Sequence, residues 1–161
     1  MKKFLLLIGF TVFFISLVTV GFSQSDETAN HAVYTDALGI RIGPTSPAIQ
    51  NGITYKHFLN ESNALEGILS LTNGFGICGL YEIHKPLPVE NVQWYIGAGG
   101  YVAFVNSNNY FGGAGIIGVD YSFTNIPLNI SIDWKPELNL APRISPELSG
   151  VGFSARYTFG K

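Results

Sequence analysis

The stretch Leu128-Asn129-Ile130-Ser131-Ile132-Asp133-Trp134-Lys135 alternates apolar and polar side chains without an exception. A strand sends successive side chains to opposite faces, so this pattern predicts a strand with one apolar and one polar side. Nearer the C-terminus, Val151, Phe153, Ala155, Tyr157 and Phe159 alternate in the same way with Gly152, Ser154, Arg156 and Thr158. Ile117, Val119, Tyr121 and Phe123 against Gly118, Asp120 and Ser122 give a third strand. Leu38, Ile40 and Ile42 against Gly39, Arg41 and Gly43 give a short fourth.

Four further strands are expected between these. Residues 52–59 set Ile53, Tyr55 and Leu59 against Thr54 and Lys56, and residues 75–84 set Phe75, Ile77, Tyr81 and Ile83 against Cys78, Glu82 and His84. Residues 94–105 are rich in β-formers, although Gly97, Gly99 and Gly100 blur which face is which. In residues 64–71, Leu65, Ile68 and Leu69 would also suit one face of a short helix, but the following Asn73-Gly74 is a hairpin signal that favours a strand. The connections 60–63, 73–74, 106–109 and 124–127 are short and turn-like, whereas 44–51, 84–91 and 136–149 are longer. Eight strands joined this way predict an all-β, eight-stranded antiparallel up-and-down barrel, whose closure removes both sheet edges.

Composition agrees. Of 161 residues, 47% are hydrophobic and only 12% charged, about half the charged fraction of an ordinary soluble domain. Nineteen glycines and 14% aromatic residues argue against a helical bundle, a coiled coil or a disordered chain. A net charge of −2 with no basic cluster excludes nucleic acid as a partner. The single Cys78 has no intrachain disulfide partner and reads as a small buried hydrophobe.

The N-terminus reads as an address. Lys2 and Lys3 precede the apolar run Phe4 to Phe22, and Gly21 and Ser23 are small enough for signal-peptidase cleavage near Gln24. Residues 1–24 are therefore expected to be a signal peptide, 25–36 a flexible leader and 37–161 the barrel. A retained anchor is the alternative, because the run is near bilayer-spanning length. No later segment is apolar for 18 residues, so a membrane role for the mature chain would need strands.

Alternation alone does not separate a soluble barrel from a transmembrane one, since the two differ in which face points inward. Three features favour the transmembrane case. Aromatics fall near the expected strand ends, at Tyr121, Phe123, Trp134, Tyr157 and Phe159. The polar faces are mostly Gly, Ser, Thr and Asn, a poor coat for a soluble surface. The polar-face charges also balance: Arg41, Lys56, Lys135 and Arg156 against Glu66, Glu82, Asp120 and Asp133. Eight strands leave an interior just wide enough for side chains, where such charges must pair. These eight residues are the expected lumen charge network.

On these residues the chain resembles the small eight-stranded outer-membrane β-barrel proteins of Gram-negative bacteria, the X-type barrel and the transmembrane domain of the A-type barrel among them. The most specific element is the last strand, Phe153, Ala155, Tyr157 and Phe159, which looks like the aromatic C-terminal signal read by the barrel assembly machinery. In that family the aromatic usually ends the chain, whereas Gly160 and Lys161 follow it here. Residues 118–136 also look like a hairpin of such barrels. The resemblance implies an outer-membrane location, outer-membrane lipid as surroundings, the assembly machinery as a partner during insertion, and a monomer. It implies no particular activity.

Some barrels of this size modify lipids, using a histidine beside a serine or an acid. Here His31 falls in the leader, His57 and His84 read as interface or turn residues, and no His-x-Ser pair exists. No catalytic, cofactor-binding or metal-binding residue is expected. Glu82 and His84 share a face but are too few for a metal site, and Gly97 to Gly100 lacks the strand-to-helix setting of a phosphate loop. The expected role is structural or surface-interacting. Three alternatives stand beside it: a narrow porin-like channel for small solutes, a lipid-modifying enzyme, and a secreted soluble barrel binding an apolar ligand.

Overall fold

The computed structural model describes residues 34–43, 49, 51–72, 74–105 and 108–160. The expected signal peptide, the expected leader up to residue 33, and most of the 44–51 connection lie outside them. Ten strands form: β1 (Asp36–Ile42), β2 (Gly52–Phe58), β3 (Asn63–Ser70), β4 (Phe75–Pro86), β5 (Val92–Val105), β6 (Asn108–Ser122), β7 (Leu128–Trp134), β8 (Glu137–Ala141), β9 (Ser145–Glu147) and β10 (Val151–Phe159). Each of β1 to β6 pairs antiparallel with the next, and β10 pairs with both β7 and β1. The ring is an eight-stranded closed antiparallel barrel, in which β1 to β7 and β10 each have a neighbour on both sides, while β9 pairs with β8 alone among the described residues.

Of residues 64–71, which also suited a short helix, 64–70 lie in strand β3. Two of the longer connections are shorter than the sequence suggests. Residues 84–86 continue β4, so the turn is only 87–91, with Asn91 in the left-handed region at φ 63°. Residues 136–149 are not a loop: β8 and β9 pair with each other, and β8 continues along β6 where β7 leaves off. Pro136 has no amide hydrogen to donate, which breaks the strand locally, yet the ladder is kept because Gly115 N donates to Pro136 O at 3.0 Å and Lys135 N to Gly150 O at 2.8 Å. The β7–β8 and β9–β10 segments thus each make one long wall strand. As a result Trp134, expected at a strand end, sits partway up the wall between Ile117 and Val151.

One wall is taller than the other. β5 and β6 have 14 and 15 residues, whereas β1 and β2 have seven each. Both described chain ends and the turns 59–62, 87–91 and 123–127 lie at one end of the barrel, called the near end here. Gly74, between β3 and β4 at the far end, takes φ 139°, which a side chain would disfavour and which accounts for glycine after Asn73.

Parity sorts the side chains. Outward positions carry Leu38, Ile40, Ile42, Ile53, Ile77, Ile83, Ile96, Val102, Ile132 and Phe153, all exposed, with Ile132 at 59%. Inward positions carry Arg41, Thr54, Lys56, Glu66, Glu82, Asp120, Asn129, Asp133 and Arg156, all buried. The polarity is inverted relative to an ordinary soluble domain.

Candidate functional site

The interior is the one place where the fold concentrates chemistry. Each of the eight residues Arg41, Lys56, Glu66, Glu82, Asp120, Asp133, Lys135 and Arg156 is buried, none more than 4% exposed. Their strands are distant in sequence but face one another across a narrow space.

Three groups result. In the first, Arg41 of β1 makes a two-pronged bond to Asp133 of β7, Nη1 to Oδ2 at 2.5 Å and Nη2 to Oδ1 at 2.6 Å, and Tyr95 donates its hydroxyl to Asp133 Oδ2 at 3.2 Å. Glycine makes this possible. A Cβ at Gly118 would lie 2.6 Å from the Asp133 Cβ, and one at Gly152 would land on the Arg41 guanidinium. These two glycines sit beside Asp133 on either side in the sheet and leave the space that the arginine and tyrosine occupy. The second group is Lys135 with Glu137.

The third group is larger and lies toward the near end. Arg156 of β10 donates Nη2 to Glu66 at 2.5 Å, Nη1 to Ser131 at 2.9 Å and to Asn129 at 3.3 Å, and Nε to Thr54 at 3.3 Å. The Thr54 hydroxyl also donates to Glu66. Lys56 lies 2.7 Å from Glu82 and 3.4 Å from Glu66, with its ammonium 4.2 Å from the centre of the Tyr95 ring. His84 approaches Glu82 through Nε2 at 2.9 Å and Asp120 through Nδ1 at 3.6 Å. Its ring is held between Tyr95, stacked at 4.8 Å, and Phe58, also at 4.8 Å.

The rest of the interior is apolar. Ile68, Cys78, Leu80, Tyr101, Ala103, Ala114 and Ile116 fill the far half, and Ile49, wholly buried, packs into it from the β1–β2 connection against Gly76. At the near end Tyr34 and Phe58 meet edge to face at 5.3 Å over Ala37 and Ala64. Burial pushes the Tyr34 phenol well above its usual range, and the charge of Asp120 adds to the effect.

The eight residues anticipated from parity are thus all inside, but the sequence reading missed several of their partners. His84, expected at an interface or turn, is a buried member of the network because β4 runs two residues past it. Glu137 falls in what looked like a loop, although it continues the Asp133, Lys135 parity. Thr54, Tyr95, Asn129 and Ser131 serve as hydrogen-bonding partners, and Tyr34, assigned to the leader, closes the near end. His57 is outside, its Nδ1 2.8 Å from Asp36 Oδ1. No cluster of three or more His, Cys, Asp or Glu able to hold a metal occurs among the described residues.

Fold and interior together define the class: a closed eight-stranded antiparallel barrel with an apolar outer face and an ion-paired interior. Comparison with protein-family models, with curated proteins and with solved structures finds no match for this chain.

Removing one member of a buried pair leaves the other unpartnered, which typically costs about 3 to 5 kcal/mol. Asp133→Leu and Arg156→Leu are each expected to lower stability by that much in urea titrations of the refolded barrel. The double variant Arg41→Leu with Asp133→Leu is expected to recover a large part of the single-variant loss. Gly152→Ala should cost about 1 to 3 kcal/mol through crowding of Arg41, and an Arg41→Leu background should reduce that cost.

Proposed function

We propose that this chain is an integral outer-membrane β-barrel protein of the small eight-stranded kind, exported by its N-terminal signal, with a structural or surface-interaction role and no catalysis. The observation that carries the reading is the inverted polarity. Twenty-nine large apolar or aromatic side chains are exposed among the described residues. The largest apolar patch of a soluble monomer covers roughly 300 to 600 Å², which only several such side chains would fill. Water would penalise this surface, and hydrocarbon would not.

Other features support the same reading. Closure satisfies the strand ladders within the wall, which a lipid environment demands. Wall strands of seven to fifteen residues bracket the 9 to 11 that cross a bilayer as a tilted strand. Aromatics collect toward both ends of the barrel: Tyr121 with Phe123 and Tyr157 with Phe159 near the termini, and Phe75 with Phe104 at the far end. With the termini in the periplasm, the far-end turns face outward. Closure pairs the ring strands β1 to β7 and β10 on both sides, which favours a monomer in lipid, delivered by the barrel assembly machinery.

The filled interior disfavours a channel. Arg156 and its partners occupy the near half, apolar side chains the far half, and Tyr34 with Phe58 and Ile49 stop the two ends. It equally disfavours a soluble barrel holding an apolar ligand, whose ionic residues would lie outside.

Cell fractionation tests the placement. The protein is expected in the detergent-extracted outer-membrane fraction, and on unboiled detergent gels the folded form should migrate apart from the boiled one. Recovery in aqueous extracts with no effect of boiling would refute the reading. In planar bilayers the purified barrel is expected to give no steady conductance, and discrete channel openings would favour the narrow-channel alternative.

A further inference from the structure

We propose that the barrel interior binds one proton between Glu82, His84 and Asp120, a proton that these residues would not hold at neutral pH in the unfolded chain. The inference stands on the interior itself and does not depend on where the barrel resides.

Charge comes first. The buried ions among the described residues are four cations, Arg41, Lys56, Lys135 and Arg156, and five carboxylates, Glu66, Glu82, Asp120, Asp133 and Glu137. Arg41 with Asp133 and Lys135 with Glu137 are each balanced. The imbalance therefore falls in the third group, where Lys56 and Arg156 face Glu66, Glu82 and Asp120. With a neutral His84 this group carries one uncompensated negative charge in a space that excludes water, where an unpaired ion is costly.

Geometry places the missing positive charge. His84 stands between two carboxylates, one at each ring nitrogen, with Glu82 Oε2 2.9 Å from Nε2 and Asp120 Oδ2 3.6 Å from Nδ1. A neutral imidazole has one N–H and one lone pair, so in either tautomer a lone pair would face a carboxylate. One added proton removes the conflict. It either makes His84 an imidazolium that donates to both sides, or makes one carboxyl an acid that donates to the ring. Asp120 Oδ2 and His84 Nδ1 have no other hydrogen-bond partner among the described residues, so the same proton serves otherwise orphaned atoms.

The surroundings bear on this from every side: Lys56 of β2, Glu66 of β3, Asp120 of β6 and Arg156 of β10 act on the ring through their charges, and Glu82 of β4 lies against Nε2. The Tyr95 face stacks on it from β5, Phe58 covers it from β2, and the Tyr34 phenol closes the space above Phe58. The stacked Tyr95 face favours a cation.

The consequence is linkage. The unfolded chain releases its His84 proton near the ordinary value of about 6.5, whereas the folded site keeps one proton, on the ring or on a carboxyl. Stability is then fully present below that pH and declines as pH rises, until the folded site also lets go. The folding equilibrium constant should fall by up to about tenfold per pH unit in this window.

The test uses the full chain in detergent micelles, in a His57→Gln background that removes the exposed histidine beside Asp36. Urea titrations at pH 6, 7, 8 and 9 should show stability falling with pH. Asp120→Asn leaves two carboxylates against Lys56 and Arg156, and should flatten that dependence. Equal slopes for the two proteins, or no slope in either, would overturn the proposal. So would a stability at pH 8 that follows sodium concentration rather than pH, since a bound cation would then supply the charge. Should Asp120→Asn fail to fold, the unsubstituted barrel decides alone: at pH 8 it should show either both His84 ring nitrogens protonated by nitrogen NMR or a carboxylic-acid carbonyl band in the infrared. Absence of both would sink the idea.

Discussion

An ion inside an eight-stranded barrel has lost its water and has nowhere to find a counterion except on another strand of the same wall. Moving such an ion from water into a medium of low dielectric costs of order 20 kcal/mol in the idealised limit, and still several after relaxation. The structure meets this with short contacts, several of them between distant parts of the chain and one of them forked. Arg41 near one end of the barrel sequence holds Asp133 near the other, and Arg156 of the last strand holds Glu66 of the third. These pairs also fix register. A slip of one residue would turn every ion of a strand outward and every Ile or Phe inward, so the pairing excludes neighbouring alignments more firmly than backbone hydrogen bonds do.

Period two made this much legible from the sequence. Where apolar and polar residues alternate, as in β7 and β10, parity names the inward residues without any coordinates. The signal weakens where both faces are apolar. Ile68, Leu80 and Ile116 point inward, but their neighbours Leu69, Tyr81 and Ile117 are apolar or aromatic too, so nothing in the pattern separates them. The far half of the interior was therefore invisible, and a uniformly polar lumen was the natural expectation. Proline hid the rest. Pro86 made His84 look like a turn residue, and Pro136 made Glu137 look like part of a loop, although each proline sits at the end of a strand segment or at a break where its missing N–H is tolerated. Ile49 and Tyr34 lie outside the alternating strands altogether, and no periodicity could have assigned them as end closures.

The β8–β9 extension has a physical logic of its own. β6 is fifteen residues long, and β7 pairs only with its later half. Without β8 the earlier half would present unpaired backbone groups beside Tyr101 and Ala114. β8 covers that stretch, and the Tyr101 hydroxyl is bonded to Asn139 on it. The tall wall is thus sealed by the same chain that would otherwise have formed a long exposed loop.

The division of the interior into an ionic half and an apolar half decides how its charge is controlled. An open, hydrated lumen could admit small ions and correct any imbalance among its side chains by mass action. Here the apolar packing around Ile49 and Leu80 closes one approach, and the Tyr34–Phe58 contact closes the other. Neutrality must then come from the side chains themselves and from the protons they carry. In the third group Glu66 and Glu82 hold the two cations in direct contact, and the carboxylate of Asp120 lies against the imidazole of His84. A narrow barrel filled in this way fixes its protonation by its sequence more than by its surroundings, and the composition of its interior becomes part of its stability.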